Sequence, residues 1–411
     1  MKLVVQKRSF FQYLMLYIVL ICGWSTLYWK NSDIAPIVIA AICIFVKIVT
    51  RQSWKKYKEI LFVCIFSGFV VMNHIIWGND AGLGTILEFC VPLLVVDTYI
   101  HIDKTKAVYR FINGIYVYAI VSLLFTAVAV FMPQVLNNIF SDVDMYCGNM
   151  LKGSLIYTYQ GATVVRNCGL YTEPGLFHIV LNAAIFLLLY TVWGEQFGAK
   201  RGKMLIVLSI AVLTTLSATG ILTLSVVLLG STFVKSEDRK KIIVLSMAII
   251  VTVIIDYFVR DTESVLYEFV FSKFAQYGQS SVWGNLNSID ARLRAIEVVQ
   301  YALSVNIFGV GGSTFANYMR KFDLTTLAGN GLFRWLAILG VHVWLLLLFY
   351  IFGPMIKQKV EMKKIIIFAV VYVLFTITQL YMFIPILLLI PKFLIMEKQS
   401  FQIVGGMYHE C

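Results

Sequence analysis

Long runs of apolar residues alternate with short polar segments along nearly the whole chain. A helix rises about 1.5 Å per residue, so about 20 mostly apolar residues cross the roughly 30 Å hydrocarbon layer of a membrane. The runs are continuously apolar, unlike the alternating strands of a membrane barrel. The pattern predicts an all-α polytopic integral membrane protein forming a single transmembrane domain over residues 1–411. Twelve spans are expected, near residues 10–29, 34–50, 59–77, 81–100, 111–132, 174–193, 204–218, 221–234, 242–258, 331–353, 364–381 and 383–396.

Composition supports this class. The chain of 411 residues is 60% hydrophobic and only 14% charged. It is therefore too apolar for a water-soluble fold and too long for a single membrane anchor. The first apolar run lacks a small-residue cleavage site, so we expect a retained helix.

The net charge of +12 follows the predicted topology. Lysine and arginine cluster in alternate short connections, for example at 55–58, 104–110, 200–203 and 239–241. Such clusters stay on the cytoplasmic side of a membrane, which predicts cytoplasmic N- and C-termini. The basic character therefore does not indicate nucleic acid.

Only two connections are long, 134–173 and 259–330, and the same threading places both on the outer side. Long ordered connections usually carry function, so we expect the chemistry to lie outside the cytoplasm. The five histidines are scattered and the seven cysteines lack metal-ligand spacing, so no metal or other cofactor is expected. Cys147 and Cys168 share the first long connection, where a disulfide and two free thiols both remain open.

The first long connection ends in the segment Arg166 to Gly175. Pro174 fits the first turn of a helix and puts Glu173 at its N-cap, where a carboxylate is favoured electrostatically. Glu173 is therefore either a simple cap or, with Arg166 upstream, half of a catalytic pair. His178, one turn into the span, is either a proton acceptor or a hydrogen-bonded interior residue. Glu88, Asn73 and His74 on earlier spans are predicted to be interior polar residues.

In the second long connection, residues 289–304 are expected to form an amphipathic helix. Its predicted apolar stripe contains Ile289, Leu293, Ile296, Gln300 and Leu303. At 100° per residue Arg292 lies beside this stripe and Arg294 almost opposite it, so Arg292 is the better candidate to bind a phosphate and Arg294 is expected on the solvent side.

A glycine-rich turn and a further arginine follow this helix. Gly309 and Gly311 allow backbone N–H groups to approach an anion closely, although glycine clusters also simply turn a chain. Asn330 precedes the tenth span, and Arg334 lies one turn into it, where it can bind headgroup phosphates or extend to the surface.

Three short pieces make the chain resemble the bacterial O-antigen and capsular polysaccharide polymerases, and more distantly the O-antigen ligases. They are the R-x-x-G-x-x-x-E-P pattern from Arg166 to Gly175, Leu216 to Gly220, and Asp290-Ala291-Arg292 followed by 308–311. The layout of spans and long connections matches over nearly the whole chain. Relatives often carry Arg at the position of Ala218, and ligases usually carry His at the position of Gly329, so the sequence favours a polymerase.

The resemblance implies an enzyme of the bacterial cytoplasmic membrane with an extracytoplasmic active site. Its substrate would be an undecaprenyl-diphosphate-linked oligosaccharide, transferred en bloc onto a second lipid-linked repeat unit. A cation must neutralise the departing diphosphate, for which Arg292 is the first choice, with Arg166 and Arg334 assisting. A base must take the proton of the acceptor hydroxyl, for which Glu173 is the first choice and His178 the second.

Arg294, Gly309, Gly311 and Asn330 complete the predicted substrate-binding set. The alternatives are O-antigen ligase-like glycosyl transfer and a transporter or flippase of lipid-linked oligosaccharides. A lipid-monophosphate sugar transferase is disfavoured because residues 29–33 lack an acidic pair. The sequence leaves open whether a chain-length regulator protein binds and which polymer is made.

Overall fold

A computed structural model of the protein describes residues 2–52, 57–80, 82–146, 149–153, 155–160, 165–234, 288–322, 324, 331–379 and 382–407. These residues are mostly helical. In chain order the helices are α1 (Lys2–Ile21), α2 (Thr26–Lys30), α3 (Ala35–Val49), α4 (Tyr57–Trp77), α5 (Leu83–Asp103), α6 (Ala107–Phe131), α7 (Pro133–Ile139), α8 (Pro174–Tyr190), α9 (Val192–Glu195), α10 (Lys200–Thr214), α11 (Ala218–Val234), α12 (Ser288–Val305), α13 (Gly312–Lys321), α14 (Gly331–Leu339), α15 (Val341–Lys357), α16 (Met362–Thr378) and α17 (Pro385–Met407).

Among the described helices, three are long and apolar enough to cross a membrane: Glu59–Trp77 in α4, Gly84–Asp103 in α5 and Ala107–Phe131 in α6. Several shorter helices are also apolar. The predicted class of helical membrane protein is therefore supported. The predicted span 242–258 and residues 259–287 of the second long connection lie outside the described residues.

Helix α8 forms the centre of the fold. Nearly all of its side chains are buried, from Pro174 to Tyr190. It packs against α6, α10, α11, α16 and α17. A helix that is apolar on every side belongs in a core, and α8 has that composition. The end at which α8 begins is called the Pro174 end below.

Two predicted spans are broken. The span 10–29 becomes α1 and α2, because the chain leaves the helix at residues 22–25 and the N–H of Thr26 donates to the carbonyl of Leu170 over 2.9 Å. The span 331–353 becomes α14 and α15, separated by Gly340 in the left-handed region at φ 86°. Both breaks lie at the Pro174 end.

The first long connection holds a small sheet that hydropathy did not predict. Strands β1 (Ser141–Tyr146), β2 (Asn149–Gly153) and β3 (Thr158–Gln160) pair antiparallel in that order. Asp142 and Asp144 alternate with Val143 and Met145, the period of two expected for a strand. Strands this short do not produce the long apolar runs from which the helices were predicted.

The helix predicted at residues 289–304 is present as α12. Its buried stripe among the described side chains differs from the predicted one, because small and branched residues pack against α14 while the longer ones lie partly outside. The buried residues are Ala295, Val298, Val299 and Ala302. Gln300, predicted on the packed face, is exposed, and so is Arg294, as predicted.

Candidate functional site

Glu173 is the N-cap residue of α8 in extended conformation, and its side chain makes no capping hydrogen bond. The carboxylate is half-buried and interacts electrostatically with Arg166. Glu173 thus occupies the predicted N-cap position without a side-chain capping hydrogen bond. The catalytic role of Glu173 with Arg166 stays a prediction.

Arg166 is held by the turn between α10 and α11. Its Nε donates to the carbonyl of Thr215 over 3.1 Å, and its Nη2 donates to the carbonyl of Leu216 over 3.0 Å. Burial lowers the pKa of Arg166, and the nearby negative charge of Glu173 opposes that shift. Since an arginine normally titrates above 12, the guanidinium stays charged at neutral pH. Two of the sequence pieces, 166–175 and 216–220, therefore meet at this residue.

The segment between Arg166 and Glu173 is fixed on three sides. Asn167 donates through Nδ2 to Ser122 of α6 over 3.2 Å. The N–H of Thr158 in β3 donates to the carbonyl of Gly169 over 2.6 Å, and the hydroxyl of Tyr171 donates to the carbonyl of Leu20 over 3.1 Å. The sheet and the break between α1 and α2 thus serve to position this segment.

Gln379 connects the start of α8 to the start of α14. Its side chain lies over Gly175 so closely that a Cβ there would overlap its amide nitrogen. Its carbonyl accepts a hydrogen bond from the N–H of Gly331 over 2.6 Å. Sequence reasoning did not select Gln379, and the only signal was a polar residue at the end of an apolar run.

Arg334 lies one turn into α14 and interacts electrostatically with Glu88 of α5. The neighbouring side chains Phe89 and Trp335 meet edge to face, with their ring centroids 5.0 Å apart, which fixes the two helices against each other. Glu88 had been predicted as an ordinary interior residue. The structure instead gives it an arginine partner on α14, the helix whose first residue Gly331 is hydrogen-bonded to Gln379.

His178 and Asn182 are fully buried. The ring of His178 packs against Gly220 and lies 5.8 Å from the ring of Phe375. Asn182 donates through Nδ2 to the carbonyl of Gly220 over 3.1 Å. These contacts join α8 to α11 and agree with the interior interpretation of His178.

Two predicted site residues have no described side chain. Arg292 lies on α12, but its side chain is outside the described residues, and Asn330 is outside them altogether.

The N–H groups of Gly309 and Gly311 in the glycine-rich turn are hydrogen-bonded within the protein. Gly309 donates to the carbonyl of Asn306 over 3.1 Å, and Gly311 to that of Ile338 over 3.2 Å. The turn crosses the break between α14 and α15 so tightly that a Cβ at Gly309 would lie 2.5 Å from the carbonyl oxygen of Ile338. In this structure the glycines permit close packing of two backbones, and these two N–H groups point at protein acceptors.

The amides that follow the glycine turn bind a carboxylate of the chain itself. Asp80, in the connection between α4 and α5, accepts a hydrogen bond from the N–H of Ser313 over 2.7 Å. Burial alone would raise the pKa of Asp80, but hydrogen bonds from Ser313 and from the backbone of Gly312 outweigh it and lower the pKa. The first turn of α13 is thereby capped by Asp80 from the connection between α4 and α5.

Cys168 is a free buried thiol, and Cys147 lies outside the described residues. Burial raises the pKa of the Cys168 thiol to about 12, so it stays protonated and inert at neutral pH. No group of three or more potential metal ligands occurs in the described part of the chain.

The opposite end of the bundle carries several buried or half-buried ion pairs. Lys47 pairs with Asp97, Lys392 with Glu59 at 3.1 Å, and Lys364 with Glu397 at 3.0 Å. The sequence had offered mainly Glu88 as a charge within the apolar helices. These pairs lie far from the Pro174 end and connect α3 to α5, α4 to α17 and α16 to α17.

Comparison of the chain with protein-family models, with curated protein sequences and with solved structures gave no match.

Proposed function

We propose that the protein is a polysaccharide repeat-unit polymerase whose active site is the cluster of Arg166, Glu173, Gln379, Arg334 and Glu88. The observation that carries this proposal is the electrostatic interaction of Glu173 with Arg166 at the start of the buried helix α8, which Gln379 links to Gly331 at the start of α14, the helix of Arg334. The protein thus supplies two arginine–glutamate interactions, on segments that Gln379 links at the starts of α8 and α14.

The chemistry requires charge neutralisation and one proton transfer. A new bond forms between the acceptor hydroxyl oxygen and the anomeric carbon of the donor, while the bond from that carbon to the diphosphate breaks. Negative charge grows on the departing diphosphate, and Arg166 and Arg334 supply fixed positive charge against it. Glu173, which makes no capping hydrogen bond, accepts the acceptor's proton.

Glu88 has a different task in this scheme. An arginine held inside apolar helices needs a counter-charge until substrate arrives. Glu88 provides that charge for Arg334 and fixes where the guanidinium lies. By resemblance alone, Arg292 remains the first choice for a further phosphate ligand. Arg294 and Asn330 remain proposed substrate-binding residues on the same basis.

The bacterial cytoplasmic membrane, the outward-facing site, the twelve-span layout and the lipid-diphosphate substrate belong to the same proposal. It requires no metal. A chain-length regulator would have to act from outside the cluster.

The decisive experiment uses the full chain reconstituted with purified lipid-diphosphate-linked repeat units. Replacing Glu173→Gln removes the base and keeps the shape, so elongation should fall by about 10²-fold or more. Glu297→Gln, on the exposed face of α12, is the matched control and should elongate normally. Normal elongation by the Glu173 variant would refute the assigned role.

A transporter of lipid-linked oligosaccharides is the second candidate. The ion pairs Lys47 with Asp97 and Lys392 with Glu59 favour it, because charges within membrane helices often mark a transport path. The same reconstitution separates the two functions. A polymerase yields multimers from repeat units that already face its site, whereas a transporter moves single units across the bilayer and yields none. A ligase-like enzyme would instead transfer the saccharide to a different lipid acceptor.

A further inference from the structure

The turn between α12 and α13 carries exposed apolar side chains although it lies beyond any predicted span. Ile307 is 55% exposed and Phe308 40% exposed, and Val305 at the end of α12 is 55% exposed. Single exposed apolar residues are ordinary on soluble surfaces, but three within four positions form a patch.

The depth of this patch is fixed by Trp77. The rings of Phe308 and Trp77 are stacked, with centroids 4.3 Å apart and planes 9° from parallel. Trp77 is the last residue of the candidate span Glu59–Trp77, and Ile75 and Ile76 beside it are exposed. Tryptophan at the end of a span typically marks the boundary between hydrocarbon and headgroups. Phe308 must therefore lie at that same boundary.

The backbone of the turn is suited to an apolar surrounding. The N–H of Phe308 donates to Asn306 Oδ1 over 3.0 Å, and the N–H of Val310 donates to the carbonyl of Ala337 over 3.0 Å. The carbonyl of Phe308 accepts from Asn73 Nδ2 over 3.0 Å, and that of Ile307 accepts from the N–H of Val341 over 3.1 Å. Irregular backbone at membrane depth is tolerated only where such groups are paired within the protein.

Helix α13, which follows this turn, exposes polar side chains. On α13 the exposed positions are polar, namely Ser313, Asn317, Arg320 and Lys321, whereas Phe315 and Met319 are buried. The chain thus passes from an apolar exposed turn to a polar exposed helix within a few residues.

We infer that the turn of residues 305–310 is inserted into the lipid headgroup boundary at the Pro174 end, next to Trp77, and that its partner is the bilayer itself. The apolar patch is continuous with the exposed apolar end of α4, and both the N–H and the carbonyl of Phe308 are hydrogen-bonded within the protein. Because Val310 and Gly311 are bonded to Ala337 and Ile338 on α14, this anchor also fixes the depth of Arg334. The inference requires only a membrane and does not depend on the proposed enzyme activity.

The test introduces a photoreactive aromatic amino acid into the full chain in phospholipid vesicles. The substitutions are Ile307→p-benzoylphenylalanine and, as a matched control on the same connection, Asn317→p-benzoylphenylalanine. After illumination, mass spectrometry quantifies phospholipid adducts on each peptide. We expect more than roughly threefold as much phospholipid adduct at 307 as at 317, because only the former reaches the lipid.

A ratio at or below that value, or adducts at 307 formed with another protein, would overturn the inference. If the variant at position 307 fails to fold, Val305→p-benzoylphenylalanine replaces it. The expected ratio of phospholipid adducts to those at 317 is then the same. Val305 is as exposed as Ile307 and ends α12, so it reports on the same patch.

Discussion

The carbonyl of Leu216 accepts a hydrogen bond from Arg166 Nη2 over 3.0 Å, and Leu216 itself has a positive φ of 48°. A residue with a side chain rarely adopts this left-handed conformation, which costs about 1 to 2 kcal/mol. The strained turn sets two consecutive carbonyls, those of Thr215 and Leu216, against one guanidinium. The fork of an arginine can donate to both at once, whereas an ammonium group has no such planar geometry.

Arg166→Lys should therefore keep the charge and lose the activity. A lysine cannot hold both carbonyls and present its charge to the diphosphate, so elongation by the reconstituted protein should fall by about 10²-fold. Arg320→Lys, on the exposed face of α13, should elongate normally. Full activity of the Arg166 variant would show that the two-carbonyl contact is dispensable.

Glu88 and Arg334 should be more costly to separate than to remove together. Glu88→Gln leaves the guanidinium without its counter-charge inside the helices, which should reduce stability by about 3 to 5 kcal/mol. The double variant Glu88→Gln with Arg334→Gln should regain most of that stability, yet remain inactive because the cation is gone. Thermal unfolding in nanodiscs measures the first effect and elongation the second. Equal destabilisation by the single and double variants would contradict the pairing.

Gly340→Ala should disrupt the crossing of the two backbones. A Cβ there would overlap the backbone of Phe308, and the residue holds a φ of 86°. We expect a loss of more than about 2 kcal/mol in unfolding free energy. Gly202→Ala is the matched control: its Cβ meets nothing within 4 Å, and it lies in helix α10. That control should be neutral or stabilising by up to about 1 kcal/mol, since alanine favours helix. Equal effects of the two alanines would contradict the crossing.

Asp80 should make stability depend on pH. Its pKa is lowered in the folded protein from an ordinary value of 3.8, because Ser313 and Gly312 donate to the carboxylate. A group with a depressed folded pKa stabilises the fold above its unfolded pKa, and that contribution is lost as the pH falls through the folded pKa.

Asp80→Asn should accordingly lower the melting temperature at pH 7, and the difference from the parent should shrink as the pH falls below about 4. Ser313→Ala removes one of the donors and should reduce the effect of Asp80→Asn at pH 7. A difference that stays constant from pH 7 to acid would exclude the carboxylate as its source.

Hydropathy predicted the helical elements well, because an 18-residue apolar run has few alternatives in a membrane. The bounds of α3, α4 and α6 fall within a few residues of the predicted spans 34–50, 59–77 and 111–132. Helix breaks were missed. The separation of α1 from α2 depends on Leu170 and Tyr171, which lie about 145 residues away in sequence, and no local pattern contains that contact.

The candidate site was only partly predictable. Arg166 and Glu173 could be selected because an unusual charge pair precedes an apolar helix. Gln379 and the pairing of Glu88 with Arg334 could not, because they arise from packing between α5, α8, α14 and α16. The glycines at 309 and 311 were visible in the sequence, but whether their amides face an anion or the chain's own carbonyls is decided only by the fold.

Helix α8 has a consequence for how the protein is made. Synthesis from the N-terminus delivers α8 to the bilayer before α11, α16 and α17 exist, so a helix that is buried in the finished protein must first tolerate lipid on most of its surface. Its apolar composition allows this, but Asn182 acquires its carbonyl partner on Gly220 only after about 40 more residues have been added. Assembly around α8 is therefore completed late, and a chain that ends within α10 would lack this partner of Asn182.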